Sequence, residues 1–234
     1  MYLSFIIKKK LIILLILIIF TGFGFYLYSQ FINIPANTSD MEFKVAIDPG
    51  HGSIDTGTHY KQLYEKDINL KVSKKLANKL KEVNIIPLLT RDEDILYKKS
   101  RRKDLRHRPD FANENNSDLF ISIHVNNYPT PSPSGSQVFY KSGSKKSKIL
   151  ANLIKDELVK LRKENNRSST PGDYYVLNQT ESPAVLIETG FLSNSGDRQL
   201  LTNSTYQDNL TKSIREGVVN FFQQELKKGT KDIY

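Results

Sequence analysis

The chain contains no cysteine and no tryptophan, and only 2 methionines and 4 histidines among its 234 residues. Without cysteine there can be no disulfide staple, no thiolate metal site and no cysteine nucleophile. The compartment stays open, because a chain of this size can build its core without cross-links. Internal repeats and low-complexity tracts are absent as well. What is present, 38% apolar and 25% charged residues, suits one globular domain of ordinary size and argues against disorder. The mean hydropathy of −0.44 conceals an asymmetry, since the strongest hydrophobicity is gathered in residues 1–30.

Lys8, Lys9 and Lys10 precede an apolar run that continues to Tyr28, so that positions 11–28 give eighteen residues without a charge. That is near the minimum for crossing a bilayer core. The lysines orient the segment with its N-terminus in the cytoplasm and everything after Tyr28 outside. A cleaved signal peptide fits the same pattern, but Tyr26-Leu27-Tyr28-Ser29-Gln30 offers no small-residue cleavage site, which favours an uncleaved anchor. The expected layout is therefore an anchor at 1–30, a polar linker at 31–42 and an extracytoplasmic domain at 43–234. Removing Lys8, Lys9, Lys10 and Asp40 from the chain's 34 basic and 25 acidic residues leaves 31 against 24, a net +7 after residue 40. A basic domain outside the membrane suits an anionic neighbour such as a wall polymer or a lipid surface. The cluster Arg101, Arg102, Lys103, Arg106 and Arg108 comes with no interleaved aromatics and no recognition-helix pattern. It reads as a solvated helix face, and no nucleic-acid partner is expected.

Strands and helices alternate along the domain. Phe43 to Asp48, Ile85 to Leu89, Asp118 to Val125, Gln137 to Tyr140, Asp173 to Leu177 and Ala184 to Glu188 read as six strands, with Pro87 pointing to an edge or a bulge in the second. Helices are expected at 67–83, where Ile68, Val72, Leu76 and Leu80 recur at i+4, from a Ser144 cap onward, and at 205–226. The pattern predicts a single α/β domain around a mostly parallel or mixed sheet of about six strands flanked by helices.

In open α/β sheets, ligands bind beyond the carboxyl ends of strands. The first strand runs into His51 within Pro49-Gly50-His51-Gly52, the third carries His124, and the sixth ends on Glu188. Glu65 stands just before the first long helix. Each has a plain structural reading. His51 could be a turn residue, His124 a half-buried core histidine, and Glu65 a carboxylate at the positive end of a helix. Glu188 is harder to dismiss, because a carboxylate directly after a buried apolar strand needs a cation or several donors. His59 and His107 have no such setting and read as surface residues. Two histidines and a carboxylate form the ligand set of a catalytic zinc with an open fourth position, at net charge +1. No local motif of the HExxH type supports that assignment.

Longer segments carry a resemblance. Ile47-Asp48-Pro49-Gly50-His51-Gly52, Glu65-Lys66, Leu89-Thr90-Arg91-Asp92, the run Asp118 to Asn126 and the run Pro183 to Asn194 are similar, in order, to motifs of the zinc-dependent N-acetylmuramoyl-L-alanine amidases. The similarity covers about Lys44 to Phe222. The short chain, the N-terminal anchor and the lack of wall-binding repeats resemble the germination-specific, spore-cortex branch of that family. The resemblance implies one zinc held by His51, Glu65 and His124, with Glu188 as the catalytic glutamate carrying a proton from the attacking water to the departing L-alanine nitrogen. It also implies peptidoglycan as substrate, a place in the developing spore envelope on the route to muramic δ-lactam, and a partner protein that steadies zinc. Three positions depart from the family pattern: Ser53 where a glycine is usual, His59 where a small residue is common, and Pro109 in a stretch expected to be helical, which should start or kink there. The alternatives are a zinc peptidase acting within the stem peptide, a non-catalytic membrane-anchored wall-binding protein and a two-carboxylate glycosidase. The last would need neither histidine.

Overall fold

A computed structural model describes Thr21 and residues 42–97, 100–165 and 167–231. The expected anchor at 11–28 and nearly all of the linker lie outside these residues. Among the described residues, no helix is long and apolar enough to cross a membrane. In chain order the elements are β1 (Lys44–Pro49), β2 (His59–Tyr60), β3 (Leu63–Tyr64), α1 (Glu65–Lys81), β4 (Ile86–Leu89), α2 (Arg101–Glu114), β5 (Leu119–Asn126), β6 (Gln137–Lys141), α3 (Lys145–Leu161), β7 (Thr170–Gly172), α4 (Tyr175–Gln179), β8 (Ala184–Phe191), α5 (Ser195–Thr202) and α6 (Ser204–Lys231).

Six of the strands form one mixed sheet in the order β4-β1-β5-β8-β6-β7, and β2 and β3 form a separate small hairpin. β4, β1, β5 and β8 are mutually parallel, while β6 is antiparallel to β8 and parallel to β7. β1, β5 and β8 are buried along nearly their whole length because both of their faces are covered. Pro87 falls on the edge strand β4, where a missing ladder donor is tolerated. Ser144 caps α3 by accepting a hydrogen bond from the Ser147 N–H.

The two faces of the sheet differ. Val45, Ile47, Ile121, Ile123, Val185 and Ile187 point to one side and pack against α1, α3 and α6, forming the large core. On the other side Ala46, Phe120, Ala184 and Leu186 meet Ala112 of α2 with Val176 and Leu177 of α4 in a smaller cluster. Strand alternation puts Asp48, Ser122, His124, Glu188 and Gln137 on this second face.

Two expectations need correction. The stretch Asp173 to Leu177 is not a strand. Tyr175–Gln179 is the short helix α4, and the sixth strand of the sheet is Thr170–Gly172, just upstream. The aromatic and β-branched residues of that stretch favour a strand locally, but burying Val176 and Leu177 together against the small cluster overrides the preference. Nor does the helix around Pro109 start there, because α2 begins at Arg101 and continues through Pro109 to Glu114. The ring nitrogen leaves the Leu105 carbonyl without its helical donor. Ser53 adopts φ +50, a left-handed conformation that explains why a glycine is usual at this position.

Candidate metal centre and active site

Three rows of residues climb the second face of the sheet. The lowest is apolar, with Ala46, Phe120 and Ala184 side by side. Above it Asp48 pairs with Ser122, and Ser122 with Leu186. The top row holds Gly50 just past the end of β1, then His124 beside Glu188, then Glu188 beside Gln137. Gly50 donates its N–H to the Ile123 carbonyl at 3.0 Å. A Cβ at Gly50 would lie 2.3 to 2.7 Å from atoms of the His124 ring, so only glycine fits there. The close approach allowed by this glycine is therefore to a histidine ring.

His51 follows with φ +63, uncommon for a residue bearing a side chain. Two contacts hold it in place. Its Nδ1 lies 2.9 Å from the Asp55 carboxylate, and its carbonyl accepts from Arg108 at 2.8 Å. Asp55 is positioned by reciprocal backbone hydrogen bonds with Gly52. This arrangement turns the His51 Nε2 inward, 3.3 Å from Oε1 of Glu65.

Glu65 is the first residue of α1 and is buried. Its Oε2 accepts from the Thr58 N–H at 2.8 Å, and its Oε1 from the Val125 N–H at 3.1 Å. Oε1 also lies 3.0 Å from Nδ1 of His124. Burial would raise the Glu65 pKa, but the hydrogen bonds and charges of His124 and His51 outweigh it and hold the carboxyl well below the usual range. Burial likewise opposes protonation of His51, yet Glu65 and Asp55 together raise it to about 9. One ligand atom from each of His51, Glu65 and His124 falls within 4.8 Å of the others, a grouping able to hold a metal ion. Two nitrogens and one carboxylate oxygen form a donor set suited to zinc with one position open. Asp55 stands behind His51 as the carboxylate that fixes the ring's tautomer and direction.

Glu188 stands one strand away and is 9% exposed, with Oε2 buried and without a hydrogen-bond partner. Burial pushes its carboxyl up to about 7, although His124 partly offsets this. An orphaned carboxylate oxygen beside two histidines and a glutamate fits a site completed by a cation and by substrate. All four residues singled out in the sequence thus meet at one strand-end cluster. His59 is exposed, as expected, whereas His107 is half-buried between the rings of Tyr97 and Phe111, with centroids 4.5 and 6.1 Å away.

The sequence reading missed the supports. Arg91 is fully buried, and donates to the carbonyls of Pro49, Gly50 and Lys66 at 2.9 to 3.0 Å. Arg108, read as part of a solvated run, is also buried. It pairs with Asp48 at 2.5 Å and Asp104 at 2.7 Å, and it takes the Pro49 and His51 carbonyls. Arg101, Arg102, Lys103 and Arg106 do face solvent. Asp48 is held ionised against its burial by Arg108, Ser122 and Thr90. Arg91 stood in one of the family-like segments without a role of its own, and for Arg108 the signal was spacing: it stands four residues after Asp104, the helical distance for an ion pair.

Comparison with known proteins follows the same line. A profile of the N-acetylmuramoyl-L-alanine amidase family matches residues 45–220. The germination-specific N-acetylmuramoyl-L-alanine amidase of Bacillus subtilis is 32% identical over 190 residues, covering 77% of this chain and 80% of that protein. The amidase LytC of the same organism is 33% identical over 181 residues, but the chain spans only 35% of its length. Among solved structures, the CwlD amidase of Clostridioides difficile, in complex with the GerS lipoprotein, superposes with a TM-score of 0.74 at 33% identity, over 78% of this chain and 99% of that one. A match of this extent, together with a relative 32% identical of which the chain covers 80%, decides the matter: the chain belongs to the N-acetylmuramoyl-L-alanine amidase family.

Proposed function

We propose that this protein hydrolyses the amide between the lactyl group of N-acetylmuramic acid and L-alanine in peptidoglycan, using one zinc held by His51, Glu65 and His124. The observation that carries the reading is Glu188, a buried carboxylate with a free oxygen set directly across the sheet ladder from His124. When bound, zinc supplies Lewis acidity that polarises the lactyl carbonyl and makes water a nucleophile at neutral pH. Glu188 accepts a proton from that water and returns it to the L-alanine nitrogen, because an amine cannot leave as an anion near neutrality. Asp55 keeps the Nδ1 proton of His51 in place, so that Nε2 presents its lone pair. Arg91 and Arg108 hold the backbone under His51, which spares the site reorganisation when it is filled.

The same proposal extends to the setting. A germination-specific relative at 32% identity supports work on spore cortex. The apolar segment at 11–28 would anchor the chain with its domain outside the membrane. A lipoprotein of the kind found in complex with CwlD is the partner class to look for. Mass spectrometry of peptidoglycan digested by the purified, zinc-supplied protein tests the chemistry. Peptide-free muramic acid together with stem peptides that begin at L-alanine supports it, while cleavage inside the peptide, or no cleavage, rejects it. Loss of muramic δ-lactam from spores lacking the protein would support the cortex assignment, and unchanged lactam would remove it.

A further inference from the structure

Beyond Glu188 the top row continues to Gln137, its direct partner on the antiparallel strand β6. Gln137 is half-buried, and its side-chain oxygen accepts from Nδ2 of Asn126 at 2.8 Å. Asn126 belongs to β5, on the far side of β8, so this amide–amide bridge crosses β8 beside Glu188. The orientation of both amides is fixed, because the Asn126 oxygen is already occupied by the Asn127 N–H at 2.7 Å. Asn126 must therefore donate and Gln137 must accept. The two N–H donors of the Gln137 amide are left with no protein partner among the described residues.

We infer that Gln137 is a substrate-positioning residue whose free amide donors bind the carbonyl of the first amino acid of the stem peptide. This rests on the amidase reading above. His124, Glu188 and Gln137 follow one another along a single line, each strand about 4.8 Å from the next. Glu188 has to reach the amide nitrogen, so the nitrogen side of the scissile bond lies toward β6 and the lactyl side toward β1. The next acceptor past that nitrogen is the alanine carbonyl oxygen, three bonds further on, which falls beside Gln137. The row thereby fixes which way the substrate lies: peptide over β6, sugar over β1.

The test compares the full chain with its Gln137→Met variant, nearly the same shape but without the amide, on two small substrates. One is N-acetylmuramoyl-L-alanyl-D-isoglutamine. The other is N-acetylmuramoyl isopropylamide, which keeps the alanine Cα and methyl but lacks the carbonyl. The expected result is a loss of roughly tenfold in kcat/KM on the peptide, the scale of one hydrogen bond, carried mainly by KM, and no loss on the isopropylamide. Zinc content and melting temperature should be unchanged. Equal losses on both substrates, or none on either, overturn the inference while leaving the amidase reading standing. A parent chain that hydrolyses neither substrate nor peptidoglycan rejects both.

Discussion

Replacing Glu188 by glutamine alters one atom and separates three properties. The amide cannot accept a proton, so kcat should fall by roughly 10²–10⁴-fold, while zinc measured by elemental analysis stays at one per chain. Glu65→Gln should behave differently, losing zinc affinity and recovering part of its activity when zinc is added. The exchanged pattern would mean that ligand and proton carrier have been assigned the wrong way round. Glu188 also bears on stability. Its carboxyl is raised to about 7 in the fold, so between its unfolded value and pH 7 the native state binds more protons than the unfolded chain. The associated stability is present at low pH and lost as pH rises through 7. Metal-free Glu188→Gln should therefore resist urea better than the parent at pH 8, by up to about 3 kcal/mol, with the difference closing toward pH 5. An equal difference at both pH values would refute this.

His51 gives the opposite kind of competition. Glu65 and Asp55 raise it to about 9 in the metal-free fold, so its proton must leave before Nε2 can bind a metal. Zinc affinity should climb about tenfold per pH unit between roughly pH 7 and 9. Calorimetry in buffers of different ionisation enthalpy should find about one proton released per zinc at pH 7, and none would contradict the pairing. His51, His124 and Glu188 were legible in the sequence because each polar residue interrupts or follows an apolar run. Glu65 was ambiguous there, since nothing local says that a helix N-terminus will fold back onto β5. Asp55, Arg91 and Arg108 were hidden for a different reason. Arg91 and Arg108 act mostly on backbone carbonyls, which every residue carries and no pattern marks, and Asp55 acts from inside a loop without periodicity.

At the scale of elements, Gly217 of α6 sits where α3 crosses it. A Cβ there would lie 2.6 Å from the Ile154 Cα and 2.8 Å from its backbone nitrogen. Helix propensity alone favours Gly217→Ala by about 1 kcal/mol. Backbone cannot step aside as a side chain can, so the crossing should dominate and the variant should lose about 1–3 kcal/mol in denaturant titrations. A stabilised variant would show that the two helices can separate freely. The helices with a clear i+4 stripe were readable for the same reason that they are stable, because one face is buried on the large core. α4 was not readable, since five residues hold too little periodicity to outweigh their strand-like composition. β7 was equally hidden, being three residues that include a proline.

The whole molecule carries its charge unevenly in function as well as in number. Arg108 and Arg91 are spent inside, whereas Arg101, Arg102, Lys103 and Arg106 face water on α2. If these exposed cations help to gather an anionic wall polymer, raising salt from about 0.05 to 0.5 M should slow attack on intact peptidoglycan and leave a small muramoyl peptide unaffected, as screening of long-range attraction requires. Equal salt sensitivity on both would place the effect in the chemistry.

The three rows on the second face have a consequence for descent. The lowest row is sealed by hydrocarbon, the middle one by Ser122, Thr90 and Arg108 all donating to Asp48, and neither borrows a bond from Glu188 or Gln137. Glu188 and Gln137 can therefore be replaced with the tier beneath still locked. A scaffold built in this way can drift in what it cuts long before it drifts in how it folds.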